Sequence, residues 1–182
     1  LGVYSLASFA LFVPLVWVYF ANKHAGPLFW SIPMVTPLRW AIYAGMVVAL
    51  VLMVAGLVRP SPASIVPGDP TPRGAQWLTR HPLFMGVGLF GLLHLIPNGN
   101  AADVAFFGGF PLFALVGCRH QDQRKLAAGA PGFYDFWRQT PFLPFTGSSS
   151  LRGIRELGPV VIVGGLGATL LLRWFHSDWF GG

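Results

Sequence analysis

The sequence predicts an all-α fold, a bundle of about five transmembrane helices, from three observations. Hydrophobic residues make up 54% of the 182 residues and charged residues only 10%, which lies outside the usual composition of a soluble domain. The mean hydropathy is +0.60. The apolar residues also fall in runs close to the roughly 20 residues that a helix needs to cross a bilayer core. We therefore expect one membrane domain over residues 1–182.

Five apolar segments are predicted as membrane spans, at residues 3–21, 40–58, 82–97, 103–118 and 157–175. In the second, Ala41, Gly45 and Ala49 form a small-residue face that is suited to close helix packing. The fifth has a similar glycine-rich face around Gly165. The third is short for a helix that faces lipid alone, so neighbouring helices are expected to shield its ends.

Two loops, at residues 59–80 and 119–156, are predicted to be cytoplasmic. The first carries a series of prolines from Pro60 to Pro72, and the second mixes basic and aromatic residues in a way typical of a membrane interface. Of the 12 Lys and Arg residues, all but Lys23, Arg39 and Arg173 lie in these loops. The positive-inside rule then predicts a multi-pass protein with both loops on the cytoplasmic side and the carboxyl terminus on the far side.

The same charge pattern removes nucleic acid from the expected partners, because topology accounts for the basic excess. A single cysteine, Cys118, excludes an intrachain disulfide and a thiolate metal cluster within the sequence. Cys118 itself is expected to pack as a small apolar residue, the alternative being a thiolate next to Arg119 that reacts or ligates a metal.

The third span begins at Arg80-His81-Pro82. A proline fits the first turn of a helix, and the free amides of that turn together with Arg80 favour an anion such as phosphate, carboxylate or propionate. The alternative is that Arg80 marks the membrane interface and His81 forms only a local hydrogen bond.

His94 lies inside the apolar run of the same span, where an unpaired polar side chain is costly. Its expected partners are Asn98, Asp103 and His24, or a bound metal. A metal or haem ligand and a simple hydrogen-bonded histidine are both consistent with the sequence. About 20 Å would separate His94 from His81 on one continuous helix, so the two cannot bind the same metal ion.

Polar residues also cluster at the end of the fourth span, on the same predicted side as Arg80. Asp122 can pair with Arg80 or with Arg124, and a shared site with Arg119 is one interpretation. The other is a solvated turn at the membrane interface.

These features together resemble the NnrU family. The residues that carry the resemblance are Arg80-His81-Pro82, His94-Leu95, Asn98-Gly99 and Asp122-Gln123-Arg124. The resemblance implies a factor for the maturation of nitrite and nitric oxide reductases in denitrification, or, in a related branch, zeta-carotene isomerase, a haem b enzyme that isomerises a carotenoid polyene.

The resemblance further implies haem b as cofactor and His94 as its axial ligand and catalytic residue. It assigns surrounding cofactor-binding roles to Arg80, His81, Asn98, Arg119, Asp122 and Arg124. The family's second ligand belongs to an amino-terminal helix that is not found in this sequence. Three alternatives follow: the ligand lies in upstream residues, it is supplied by His24 or by a partner chain, or the chain binds no haem at all. The resemblance also implies the bacterial inner membrane as the location. A lipophilic polyene or membrane lipid is the implied substrate.

Residues 80–144 also resemble isoprenylcysteine and phospholipid methyltransferases. The matching residues are Arg80 to Gly86, Gly132, Tyr134, Trp137, Pro141 and Pro144. That resemblance implies an enzyme that uses S-adenosylmethionine, although Gln121-Asp122 stands where those enzymes have paired glutamates. A third hypothesis is a non-catalytic accessory subunit of a larger membrane complex.

Overall fold

A computed structural model describes residues 2–64 and 69–177, with side chains throughout except at residues 2–5, 8 and 9. The all-α prediction is confirmed over this part of the chain, which contains α-helices, one 3-10 helix and one isolated bridge between Leu28 and Asn100. The helices are α1 (Gly2–Ala21), α2 (Thr36–Val58), α3 (Pro82–Leu95), α4 (Ala101–Ala127), α5 (Phe133–Gln139), α6 (Ser150–Arg155) and α7 (Pro159–Trp174), and the 3-10 helix is Gly74–Trp77.

Prolines define the starts of three of these helices. Pro37, Pro82 and Pro159 each lie in a first turn, where the missing N–H costs nothing and the fixed φ favours the helix. Asp103 lies in the first turn of α4, where a carboxylate is stabilised by the helix dipole. The sequence therefore sets these boundaries locally.

Four helices form the bundle in the order α7, α2, α3, α4, and α1 contacts α4. Glycines allow the close approaches. A Cβ at Gly86 would lie 2.6 Å from the Ala49 carbonyl oxygen, and one at Gly165 would lie 2.5 Å from the Val51 side chain. The small-residue faces of the second and fifth predicted spans thus pack against other helices of the same chain.

Over the part of the chain whose side chains are described, two helices, α2 and α4, are long and apolar enough to cross a membrane by length and composition. Only 33% of the apolar window of α2 and 22% of that of α4 are buried, whereas the core helix of a soluble protein would be mostly buried. These helices support a membrane protein. Among the residues whose side chains the structure describes, the apolar segments Ala10–Ala21 of α1, Pro82–Leu95 and Pro159–Trp174 are shorter. The count of five spans therefore stays a prediction.

Residues 119–156, predicted as the loop between the fourth and fifth spans, are largely helical. Helix α4 continues to Ala127 instead of ending near Cys118, and α5 and α6 follow. The extension is polar, so it lacks the apolar signal of a span, but it is rich in strong helix formers. Arg124 and Lys125 in its last turn also complement the helix dipole. In the other loop, Pro67 lies outside the described residues.

Candidate functional site

The segment before α3 is held by three hydrogen bonds to distant parts of the chain. The Arg80 N–H donates to the Pro141 carbonyl oxygen (2.9 Å). Ser61 Oγ donates to the Arg80 carbonyl oxygen (2.6 Å), and Thr79 Oγ1 donates to that of Phe142 (2.6 Å). These bonds fix the backbone from which the Arg80 and His81 side chains project.

Arg80, His81 and Asp122 form one buried network, which we call the Arg80 network. Arg80 Nε donates to Asp122 Oδ2 (2.7 Å), and Nη1 donates to the Thr140 carbonyl oxygen (2.9 Å). His81 Nε2 lies 2.9 Å from Asp122 Oδ1. Arg80 is 8% exposed, His81 2% and Asp122 3%. Of the two partners that the sequence left open for Asp122, the structure places Arg80 against it.

Aromatic rings enclose this network. The Arg80 guanidinium carbon lies 5.5 Å from the ring centre of Trp137 and 5.1 Å from that of Phe142. The His81 ring meets Phe142 edge-on at 5.8 Å. Because the rings exclude water, the Arg80–Asp122 attraction is stronger than it would be at the surface. The network ties α3, α4 and the segment after α5 together.

The other polar residues near the end of α4 do not join the Arg80 network. Arg119 and Arg124 are exposed. Gln121 differs, because its Oε1 is buried without a hydrogen-bond partner among the described residues. That carbonyl is a free acceptor in the turn next to Asp122.

His94 lies in the last turn of α3, surrounded by aromatic rings. Its ring stacks on Phe107 at 4.5 Å and 14°, and lies 4.1 Å from the ring of Phe90. His94 Nδ1 lies 2.9 Å from the Phe90 carbonyl oxygen. A carbonyl oxygen only accepts, so Nδ1 carries the proton and the neutral imidazole keeps its lone pair on Nε2.

The partners that the sequence suggested for His94 lie elsewhere. Asn98 Nδ2 donates to the His94 backbone carbonyl (2.8 Å) and not to its ring. Asp103 and His24 instead pair with each other, with His24 Nδ1 2.9 Å from Asp103 Oδ2. The Phe90 carbonyl oxygen accepts the hydrogen bond of the His94 ring instead, because it lies one turn earlier on the same helix.

Tyr19, His24 and Asp103 form a second network, the Asp103 network, which sequence reasoning missed. Tyr19 donates its hydroxyl proton to Asp103 Oδ1 (2.9 Å). Asp103 is fully buried, while the His24 side chain is 49% exposed. The sequence did contain one indication of this network, because a carboxylate such as Asp103 within an apolar segment needs a polar partner. The sequence did not reveal that the end of α1 would supply it.

The Arg80 network lies at one end of the bundle, whereas His94 and the Asp103 network lie together at the other end. Helix α3 is continuous from Pro82 to Leu95, so about 20 Å separates His81 from His94. The Tyr19 ring meets Phe107 edge-on at 5.4 Å, and Phe107 stacks on His94, which places His94 beside the Asp103 network. Within the described residues, no three His, Cys, Asp or Glu side chains group closely enough to hold a metal ion together.

Comparison with known proteins identifies the family. The family model described as NnrU protein matches residues 1–182. Neither a curated protein nor a solved structure matches the chain. Because the match covers the whole sequence, the chain belongs to the NnrU family.

Proposed function

We propose that this NnrU-family chain is a membrane protein that binds haem b through His94 and isomerises a double bond of a lipophilic polyene. The observation that carries the proposal is the hydrogen bond from His94 Nδ1 to the Phe90 carbonyl oxygen. Iron-binding histidines commonly donate their other ring proton to a carbonyl or carboxylate, which fixes the tautomer and the ring orientation. The Phe90 carbonyl oxygen gives His94 this arrangement.

The surroundings of His94 also fit haem. A porphyrin supplies four ligands to its own iron, so the His94 imidazole would be sufficient as the protein ligand that holds a haem. Phe90 and Phe107 offer flat apolar surface next to the imidazole. His24, in the neighbouring Asp103 network, is the candidate within this chain for a second iron ligand.

Arg80 is not the propionate partner in this proposal. Its side chain is engaged by Asp122 and Thr140, and about 20 Å of α3 separates it from His94. When bound, the haem iron would supply reversible electron exchange with the polyene, which weakens a double bond enough for rotation. The role of the chain is to orient the imidazole and to keep the site apolar.

A visible spectrum of the purified chain after reconstitution with haemin tests this directly. The unchanged protein should show a Soret band, and His94→Ala should lose it. His120→Ala is the matched control, because His120 is an exposed histidine on α4, and it should keep the band. An identical band in the His94→Ala protein, or none in the unchanged protein, contradicts the proposal.

Activity is tested separately with the haem-loaded chain in liposomes that contain a cis-polyene. Chromatography should show conversion to the trans form, and the conversion should disappear with His94→Ala. Haem binding without conversion would favour the other role in the family, the maturation of nitrite and nitric oxide reductases.

The proposal includes a multi-pass topology in the bacterial inner membrane, with α1, α3 and α7 as spans beside α2 and α4. Helix α3 has 14 residues, about 21 Å, and α2 and α4 flank it on both sides. Reporter fusions after Arg73 and Arg138 should both report a cytoplasmic location. A periplasmic signal from either fusion would contradict this topology.

A second candidate is an S-adenosylmethionine-dependent methyltransferase. The favouring observation is that Arg80 lies against Trp137 and Pro141, so the structure joins the two sequence blocks of that resemblance. The free acceptor Gln121 Oε1 lies in the same region. Calorimetry with S-adenosylmethionine tests it, and binding that Gln121→Ala weakens would support it.

The accessory-subunit hypothesis has less support. It depended partly on small-residue faces as partner surfaces, and Gly86 and Gly165 use such faces inside the chain. If the chain copurified with a larger complex and showed no Soret band, the accessory-subunit hypothesis would be favoured.

A further inference from the structure

A cavity of about 310 Å³ lies where the end of α2, the 3-10 helix and the start of α7 meet. A smaller cavity of about 190 Å³ shares its polar edge. Both cavities are lined by Val58, Arg59, Arg73 and Gln76. Pro82 also lines the larger cavity, but Arg80, His81, Asp122 and His94 line neither of the two.

Two arginines form the polar edge. Arg59 and Arg73 are exposed, and among the described residues neither is in an ion pair. A guanidinium presents its donors in a planar fork that matches a phosphate oxygen pair. Two such groups on one cavity edge supply donors of the kind that a phosphate group accepts.

Two carboxylates lie near these arginines and reduce the positive charge only in part. Glu156 accepts the Gly74 N–H (2.9 Å) and Arg152 Nε (2.6 Å), which hold its pKa below the usual value, but Arg152 neutralises it. Asp69 lines the smaller cavity, and the Thr71 N–H lowers its pKa. Asp69 therefore offsets one of the two free arginines.

The opposite wall of the larger cavity is apolar. It consists of Ala55 and Val58 from α2, Val160 and Val161 from α7, and Leu157. Arg59 directly follows α2, one of the helices long enough to cross a membrane. The arginines therefore lie at the end of a membrane helix, with apolar surface continuing along it.

We propose that this cavity binds an anionic phospholipid, with the phosphate between Arg59 and Arg73 and an acyl chain along α2 and α7. The polar edge of the cavity would then face the headgroup at the membrane surface, and its apolar wall would face the acyl chain. Basic pockets between membrane helices are a common arrangement for anionic headgroups.

Native mass spectrometry of the full chain in detergent tests the proposal. The chain is mixed with equal amounts of phosphatidylglycerol and phosphatidylcholine that carry identical acyl chains, and the unchanged protein should retain phosphatidylglycerol preferentially. Arg59→Gln/Arg73→Gln should reduce this preference about 25-fold, since each basic residue near an anionic surface contributes about fivefold. Asp69→Asn should increase the preference.

The matched control is Arg138→Gln/Arg155→Gln, which removes the same charge from exposed positions outside the cavity. It should keep the preference. An unchanged preference after Arg59→Gln/Arg73→Gln, or an equal loss in the control, would overturn the proposal. In a parallel arm, inorganic phosphate replaces the lipids; arginine-dependent phosphate retention in a chain that retains no lipid would assign the cavity to free phosphate and also overturn it.

Discussion

Helix α4 carries a buried aspartate near each end, and the two differ in their partners. Asp122 meets Arg80, a permanent cation, together with His81. Asp103 meets the Tyr19 hydroxyl and the half-exposed His24. The two residues are about 28 Å apart along the helix.

The difference separates two uses of a buried carboxylate. Asp122 balances a guanidinium that has almost no access to water, so removing either partner leaves an unpaired buried charge. Asp103 receives its hydrogen bonds from a neutral phenol and from a ring with access to solvent, so its loss leaves at most a neutral donor unsatisfied. We therefore expect the Arg80 network to dominate stability and the Asp103 network to control the attachment of α1.

The largest effect is expected from Asp122→Ala. It leaves the Arg80 guanidinium buried without its anion, and the free energy of unfolding should fall by about 3–5 kcal/mol. Denaturant titration in detergent micelles measures this change. Asp135→Ala, at an exposed position on α5, is the control and should stay within about 0.5 kcal/mol of the unchanged protein.

The double replacement Arg80→Met/Asp122→Leu sharpens the same point. Replacing both partners by apolar side chains removes the unpaired charge, so most of the stability lost in Asp122→Ala should return. A double variant as unstable as Asp122→Ala would show that the charge pair is not the source of the effect.

A smaller effect is expected from Asp103→Ala. The Tyr19 hydroxyl loses its acceptor, which should cost about 1–3 kcal/mol, measured by the same titration. A loss as large as that of Asp122→Ala would abolish the distinction between the two ends of α4.

Tyr19→Phe should cost about 0.5–1.5 kcal/mol, the contribution of one hydrogen bond. The ring keeps its stacking on Phe106, at 4.0 Å and 4°, so only the bond to Asp103 is lost. Hydrogen exchange should become faster in the last turns of α1 and stay unchanged at the Arg80 network. Equal acceleration at both ends would contradict separate roles.

The smallest effect belongs to Glu156, an exposed carboxylate that serves as a reference for the two buried ones. Its pKa lies below the usual value of 4.5. The hydrogen bond from the Gly74 N–H is the largest cause, and the hydrogen bond from Arg152 is the next. Its contribution is therefore complete above about pH 4.5 and is lost as the pH falls through the lower pKa of the folded state. The contribution should remain below about 1 kcal/mol.

Tryptophan fluorescence can report this loss, because Arg152 lies 4.4 Å from the ring centre of Trp77. The acid-dependent change should be absent in Glu156→Gln. A Glu156→Gln titration that matches the unchanged protein would assign the transition to another group.

Much of the helical framework could be predicted from the sequence, because apolar runs and prolines are local signals. The end of α2 at Val58 and the start of α3 at Pro82 agree with the predicted boundaries. The extension of α4 to Ala127 was missed because residues after Cys118 are polar. Their helical state depends on propensity and on packing against α5, which an apolar pattern does not show.

The Arg80 network could be predicted in part, because a charged side chain near an apolar segment needs a partner of opposite charge. The Arg80–Asp122 pair was one of two alternatives, since both groups were expected on the same side of the membrane. The Asp103 network was not predicted because it depends on the turn after α1, where His24 has a φ of 60° and the Leu28–Asn100 bridge brings the chain back to α4. Such a turn is a tertiary arrangement and leaves little trace in sequence.

Pro111 lies inside α4, between the two aspartates. Proline has no N–H, so the Phe107 carbonyl oxygen lacks the helical donor that residue 111 would normally provide. Gly91 of α3 packs against this oxygen, because a Cβ there would lie 2.5 Å from it. In mechanical terms, α4 consists of two segments that meet at a proline. The Asp103 end, with the Phe107 ring that supports His94, is therefore joined to the Asp122 end by one helical hydrogen bond fewer than an uninterrupted helix would have.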